Sequence, residues 1–132
     1  MIFLRIRTTV RVHPDYVEIA CSGLYSGSES RRVGEEAYRQ AAIANREAIL
    51  LDVREVRGRV PTILDRFDFG VRVAKHYRES DPRIRLAVLG HEPMIHADRF
   101  GELVARNRGA DARVFTDEAD ALGWVQRRSG RP

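Results

Sequence analysis

The chain has 132 residues, 43% hydrophobic and 32% charged, which suits one domain with its own core and is too short for two of ordinary size. No apolar run approaches the roughly 20 residues of a membrane span, and the opening MIFLRIRTTV interleaves Arg with apolar residues where a secretory signal is unbroken, so a cytoplasmic protein without integral membrane association is expected. The net charge of +4 arises from 23 basic and 19 acidic residues scattered along the chain, every basic one except Lys75 being Arg, without the clustered stripe or motif that would make nucleic acid an expected partner.

Residues 2–12 and 16–22 alternate apolar and polar positions, with Ile2, Leu4 and Ile6 set against Arg5 and Arg7, and Val17 and Ile19 set against Glu18. His13-Pro14-Asp15 between them reads as a turn, so the pair is predicted to be an antiparallel hairpin. Gly23 is expected to end the second strand, and the polar run Ser26 to Ser30 supplies N-cap candidates for a helix that carries Val33, Ala37, Ala41 and Ala44 on one face. Residues 48–53, Ala-Ile-Leu-Leu-Asp-Val, form a short apolar run of the kind found in a central strand buried on both faces. A charged link from Arg54 to Arg59 follows. Thr62 and Asp65 then have the spacing of a capping box, opening a helix whose predicted inward face is Leu64, Phe67, Val71, Ala74 and Tyr77 or Arg78, stopped by Ser80-Asp81-Pro82.

The unit repeats with a strand over 84–89 ending at Gly90, and a helix over 95–107 that places Phe100, Leu103 and Val104 on one face. A strand over 112–115 follows, and a final helix from the Thr116-Asp117 boundary turns Ala121, Leu122, Trp124 and Val125 inward. The order β-β-α-β-α-β-α-β-α predicts an α/β fold, an N-terminal antiparallel hairpin leading into a mostly parallel sheet flanked by about four helices.

Four strings in this layout resemble a known family: Ile19-Ala20-Cys21-Ser22-Gly23, Ile49-Leu50-Leu51-Asp52-Val53, Arg85-Leu86-Ala87-Val88-Leu89-Gly90, and the ending from Val114 to Val125 with its aromatic, acidic residues and Ala-Leu-Gly-Trp. Over roughly 16 to 126 the chain is similar to the STAS domains, most closely their SpoIIAA-like branch of small bacterial proteins. The resemblance implies a single domain over 1–132 with 127–132 as a basic flexible tail. It also implies a non-enzymatic regulatory or protein-interaction role without a cofactor, in the bacterial cytoplasm, with a protein partner or self-association. Anti-sigma-factor antagonists of the family carry a phosphorylatable Ser after Asp at the helix that follows the central strand. Here that stretch is Arg59-Val60-Pro61-Thr62-Ile63-Leu64, where Thr62 is the nearby hydroxyl and the family's Asp-Ser-Ser-Gly string is missing. A phosphate on Thr62 would be tolerated by the helix N-terminus, yet capping alone explains the residue.

Chemistry-bearing clusters are few. His91-Glu92-Pro93-Met94-Ile95-His96 follows a strand end, where open α/β sheets place ligands, but its spacing departs from the helical H-E-x-x-H metal pattern and a polar loop is the expected reading. With one cysteine, Cys21, there is no intrachain disulfide framework or multi-thiolate zinc site, and a lone strand cysteine is expected in the core. No Gly-rich phosphate loop is present. The resemblance implies that Asp52 orders the following loop, with Arg54 or Arg57 nearby, and a lone acid without a positioned partner makes no active site. Two binding readings remain. One is a protein-interaction or switch surface around Thr62, Arg57, Arg59 and Phe69, the last lying off the predicted helix stripe. The other is a cleft for a small apolar ligand or lipid, suggested by the architectural likeness to CRAL-TRIO lipid-binding domains, between the first two helices and the sheet, lined by Tyr25, Tyr38, Phe67 and Tyr77 with Phe69 beside them.

Overall fold

A computed structural model describes residues 5–80, 83–96 and 99–126. The tail over 127–132 and the Asp81-Pro82 breaker lie outside the described residues, as do the first four residues. Strands β1 (Arg7–Val12) and β2 (Val17–Leu24) form the expected hairpin, closed by a hydrogen bond from the His13 N–H to the Tyr16 carbonyl at 2.8 Å. Helix α1 (Gly27–Ala44) follows, then β3 (Ala48–Arg57), α2 (Ile63–Glu79), β4 (Arg85–Leu89), α3 (Phe100–Asn107), β5 (Ala112–Phe115) and α4 (Glu118–Gln126). The five strands lie side by side in sequence order, β1 antiparallel to β2 and every later neighbour parallel.

Alternation along β3 divides the core. Ile49 and Leu51 face a large cluster under α1, α2 and α3, together with Val17, Ile19, Cys21, Leu86 and Val88. Ala48 and Leu50 face a smaller cluster on the opposite side with Ala87, Leu89 and the α4 residues Ala121, Trp124 and Val125. Burial on both faces explains the unbroken apolar run of β3, and β4 is buried at all five positions.

Four predicted boundaries shift. β1 begins at Arg7, and the described residues 5 and 6 of the predicted strand over 2–12 lie outside it. β3 continues through the charged stretch to Arg57, because pairing with β2 up to Leu24 supplies backbone partners that outweigh the low strand preference of its charged residues. α3 begins at Phe100 rather than at 95, and the described residues 91–96 are irregular. β2 runs past Gly23, which has φ +129°, and a Cβ there would lie 2.5 Å from the Arg5 carbonyl oxygen, so the close approach of the 5–6 segment requires glycine.

The inward face of α2 is a further correction. Its buried residues are Gly70, Val73 and Ala74, with Phe69 and Tyr77 packed on the large cluster, while Leu64 is 75% and Phe67 42% exposed. Apolar residues occupy two overlapping helical stripes in this segment, and contact with α3 selects the one containing the small Gly70.

Candidate functional site

At the carboxyl ends of the parallel strands the sheet and the three helices on its larger-core face leave a cavity of about 120 Å³ open to solvent. Its floor comes from the second halves of the strands: Cys21 of β2, Val53 and Val56 of β3, Val88 of β4 and Val114 of β5. Phe69 and Arg66 of α2, Val33 of α1 and the 94–96 loop form the walls. Strand alternation sets this lining from Ile49 through Leu51 to Val53, and a register shift against β2 between Asp52 and Glu55 turns Val56 rather than Glu55 to the same face. Burial in the apolar floor pushes the Cys21 thiol up to about 12, with Asp52 adding to the effect, so Cys21 is an unreactive packing group at ordinary pH.

α2 separates this cavity from solvent, and its start is tightly held. Thr62 Oγ1 accepts from the Asp65 N–H at 3.1 Å while Asp65 Oδ2 accepts from the Thr62 N–H at 2.8 Å, forming the reciprocal capping box expected from the spacing. Arg59 donates to the same carboxylate at 2.8 Å and lies with its guanidinium carbon 5.0 Å from the centre of the Tyr25 ring. The Arg59 guanidinium and the Thr62 N–H hold the Asp65 carboxyl down to about 2. Arg66, one turn into the helix, donates to the Pro93 and Met94 carbonyls at 2.9 and 3.3 Å and ties α2 to the loop across the cavity mouth.

No protein-family model matches the chain, and no curated protein matches it in sequence. Among solved structures, an anti-sigma factor antagonist from Mycobacterium paratuberculosis matches with a TM-score of 0.61 at 18% identity, over 92% of this chain and 95% of that one. A protein with a SpoIIAA-like fold from Shewanella loihica PV-4 matches at 0.52 and 19% identity, over 95% and 97%. The chain has the SpoIIAA-like, STAS-type fold. In this SpoIIAA-like arrangement the segment between the central strand and α2 presents Thr62 at an exposed helix start, alongside Arg59.

The residues singled out from the sequence are dispersed by this fold. Thr62 and Arg59 meet around Asp65, whereas Arg57 points to Glu55 at 3.3 Å, and both of those side chains are largely exposed. Phe69 is not on that surface; it packs on the core and walls the cavity, because α2 turns its Gly70 stripe inward. Of the four aromatic residues expected in a cleft, Tyr25 lines the cavity and the other three do not. Tyr38 is 2% exposed within the core, Tyr77 packs against the same cluster, and Phe67 faces outward under the Arg108 guanidinium at 5.2 Å.

Of the two arginines named for Asp52 it is Arg54 that pairs with it, within β3 rather than in a following loop because the strand continues to Arg57, with Arg54 donating to both carboxylate oxygens at 3.0 and 2.7 Å and reaching Glu118 of α4 at 3.3 Å. Burial pulls the Asp52 carboxyl upward, but the hydrogen bonds from Arg54 outweigh it and hold the group below its ordinary range. His91 and His96 are exposed in the loop, and among the described residues no group of three or more His, Cys, Asp or Glu is placed to hold a metal ion. No helix of the described residues is long and apolar enough to cross a membrane. The cavity residues Cys21, Val53, Val88, Ile95 and Val114 escaped sequence reasoning because each has the ordinary signature of core. The available signal was positional: all lie in the second halves of parallel strands or in the loop that follows one, toward the end where open α/β sheets place ligands.

Thr62→Ala is expected to cost about 1 kcal/mol in urea denaturation, the usual worth of an N-cap. Asp65 ionises at a lower pH folded than unfolded, so its stabilisation is complete above about pH 4 and is lost as the pH falls toward 2. The urea midpoints of wild type and Asp65→Asn, separate at neutral pH, should therefore converge across that interval.

Proposed function

We propose that the protein is a non-enzymatic regulatory module that docks a partner protein through the outer face of the first turns of α2. The observation that carries this reading is the exposure of large apolar side chains there: Ile63 at 65%, Leu64 at 75% and Phe67 at 42%. Positions 63, 64 and 67 lie on one side of a helix, and a contiguous apolar patch of this kind is uncommon on a surface that serves no contact. The Arg108 guanidinium lies over Phe67 at its edge, so the fitting partner offers an apolar contact with a carboxylate beside it. The shared fold of an anti-sigma factor antagonist supports a regulatory role of the same general kind. Thr62 serves the docking face by capping its helix, and no phosphorylation step is required.

A photo-crosslinking amino acid at Leu64 should trap a protein in cells, and that protein, purified, should bind the wild-type chain and lose at least tenfold in affinity for Leu64→Asp. Because Leu64 is exposed, the substitution should change stability by no more than about 0.5 kcal/mol, so lost binding cannot be ascribed to unfolding. Equal binding by wild type and variant would reject the docking face.

A second reading, carriage or sensing of a small apolar ligand, is supported by the open apolar cavity on the inner side of the same helix.

A further inference from the structure

The cavity's walls are apolar, but its rim is not, and the pairing of the rim charges is unequal. Asp65 is taken up by Arg59 and the Thr62 N–H. Glu102 accepts from the Val114 N–H at 2.7 Å and lies 3.9 Å from Arg106. Arg66 is committed to the Pro93 and Met94 carbonyls. Arg99 differs: it is an exposed rim residue whose guanidinium has no hydrogen bond or ion pair within the described residues. It is held there by the backbone, its N–H donating to the His96 carbonyl at 3.0 Å and its carbonyl accepting from Leu103. The mouth therefore offers a cation while both of its carboxylates are already satisfied.

Size limits the occupant. An apolar cavity of 150 Å³ accommodates benzene, so a cavity of about 120 Å³ that continues into an open mouth suits one ring or a short chain rather than a diacyl lipid. We propose that the cavity binds a small monocarboxylate with an apolar body, a single ring or a short alkyl chain, with the body against Val53, Val88 and Ile95 and the carboxylate paired with Arg99. The proposal rests on the ligand reading above and adds the chemistry of the ligand's polar end. At the edge of an apolar cavity such a pair is less screened than on an open surface, and the planar fork of Arg matches a carboxylate.

The probes are octanoate and 1-octanol, which share a chain and differ in charge, titrated into the full 132-residue chain and followed by methyl NMR. Both probes are expected to show intermolecular NOEs to the methyl groups of Val88 and Ile95. Arg99→Gln should weaken octanoate about tenfold, the loss of one charge-assisted hydrogen bond, and leave 1-octanol within about twofold. If Arg99→Gln weakens both probes alike or neither, or if 1-octanol alone gives these NOEs, the carboxylate assignment fails while the apolar-ligand reading stands. If neither probe contacts Val88 or Ile95 at millimolar concentration, both fall. The contacts are read on the wild-type chain, so folding of a variant does not decide that outcome.

Discussion

Arg85→Met is expected to lower the unfolding free energy by about 3 kcal/mol, a large fraction of what holds a domain of this size together. Arg85 is 5% exposed at the start of β4, on the face covered by α4. Its Nη1 donates to the Trp124 carbonyl at 2.7 Å and its Nη2 to the Val125 carbonyl at 3.2 Å, satisfying two acceptors that the end of α4 leaves without intrahelical donors. The guanidinium also lies 5.5 Å from the centre of the Trp124 ring. Methionine fills much of the same volume but donates nothing, so two buried carbonyls lose charge-assisted hydrogen bonds worth about 1.5 to 3 kcal/mol each, offset in part by the removed cost of burying a charge. Arg85→Lys should fall between the two, since an ammonium lacks the fork that reaches both carbonyls. Denaturation in urea followed by the fluorescence of Trp124, the single tryptophan, measures the effect where it arises. A loss below about 1 kcal/mol for Arg85→Met would show that Arg85 does not fasten α4 to the sheet.

The same substitution at two helical glycines is expected to act with opposite signs. At Gly70 an added Cβ would lie 2.7 Å from both the Gly101 carbonyl oxygen and the Val104 Cβ, so Gly70→Ala forces α2 away from α3. Overpacking of this kind costs about 1 to 3 kcal/mol and exceeds the helix-propensity gain of about 1 kcal/mol, and Gly70→Val should be worse still. At Gly34, in the middle of α1, nothing lies within 4 Å of the added carbon, so Gly34→Ala should stabilise by about 0.5 to 1 kcal/mol. Thermal melts of the two variants beside wild type read both signs in one experiment. Similar shifts for both would mean that the α2–α3 contact is looser than its geometry indicates. Because Phe69 and Arg66 on α2 face the cavity and Gly101 and Glu102 on α3 complete its wall, the α2–α3 spacing also sets the cavity's width.

Much of the architecture was legible in local pattern. The hairpin, the apolar runs of β3 and β4 and the Thr62 and Asp65 spacing all rest on neighbours within a few residues, and each appears as expected. The capping box is the clearest case, because both of its hydrogen bonds close within three residues and need no help from the rest of the chain.

What the sequence by itself determined was the order and type of the elements, which follow from periodicity and from capping and turn residues. Tertiary structure decided which side of each element faces inward. In α2 the apolar residues permit two inward faces, and only the approach of α3 over Gly70 buries Phe69 and leaves Leu64 and Phe67 in solvent. The cavity was equally out of reach, since its lining is gathered from Ile6 to Val114 and consists of residue types that would serve as well in solid core. Arg85 shows the same limit, a charged residue in an apolar strand whose partners lie 39 and 40 positions away on a helix packed across the sheet. Local spacing encodes local hydrogen bonds and faces, whereas a void, a close helix crossing or a buried cation depends on how distant surfaces fit together.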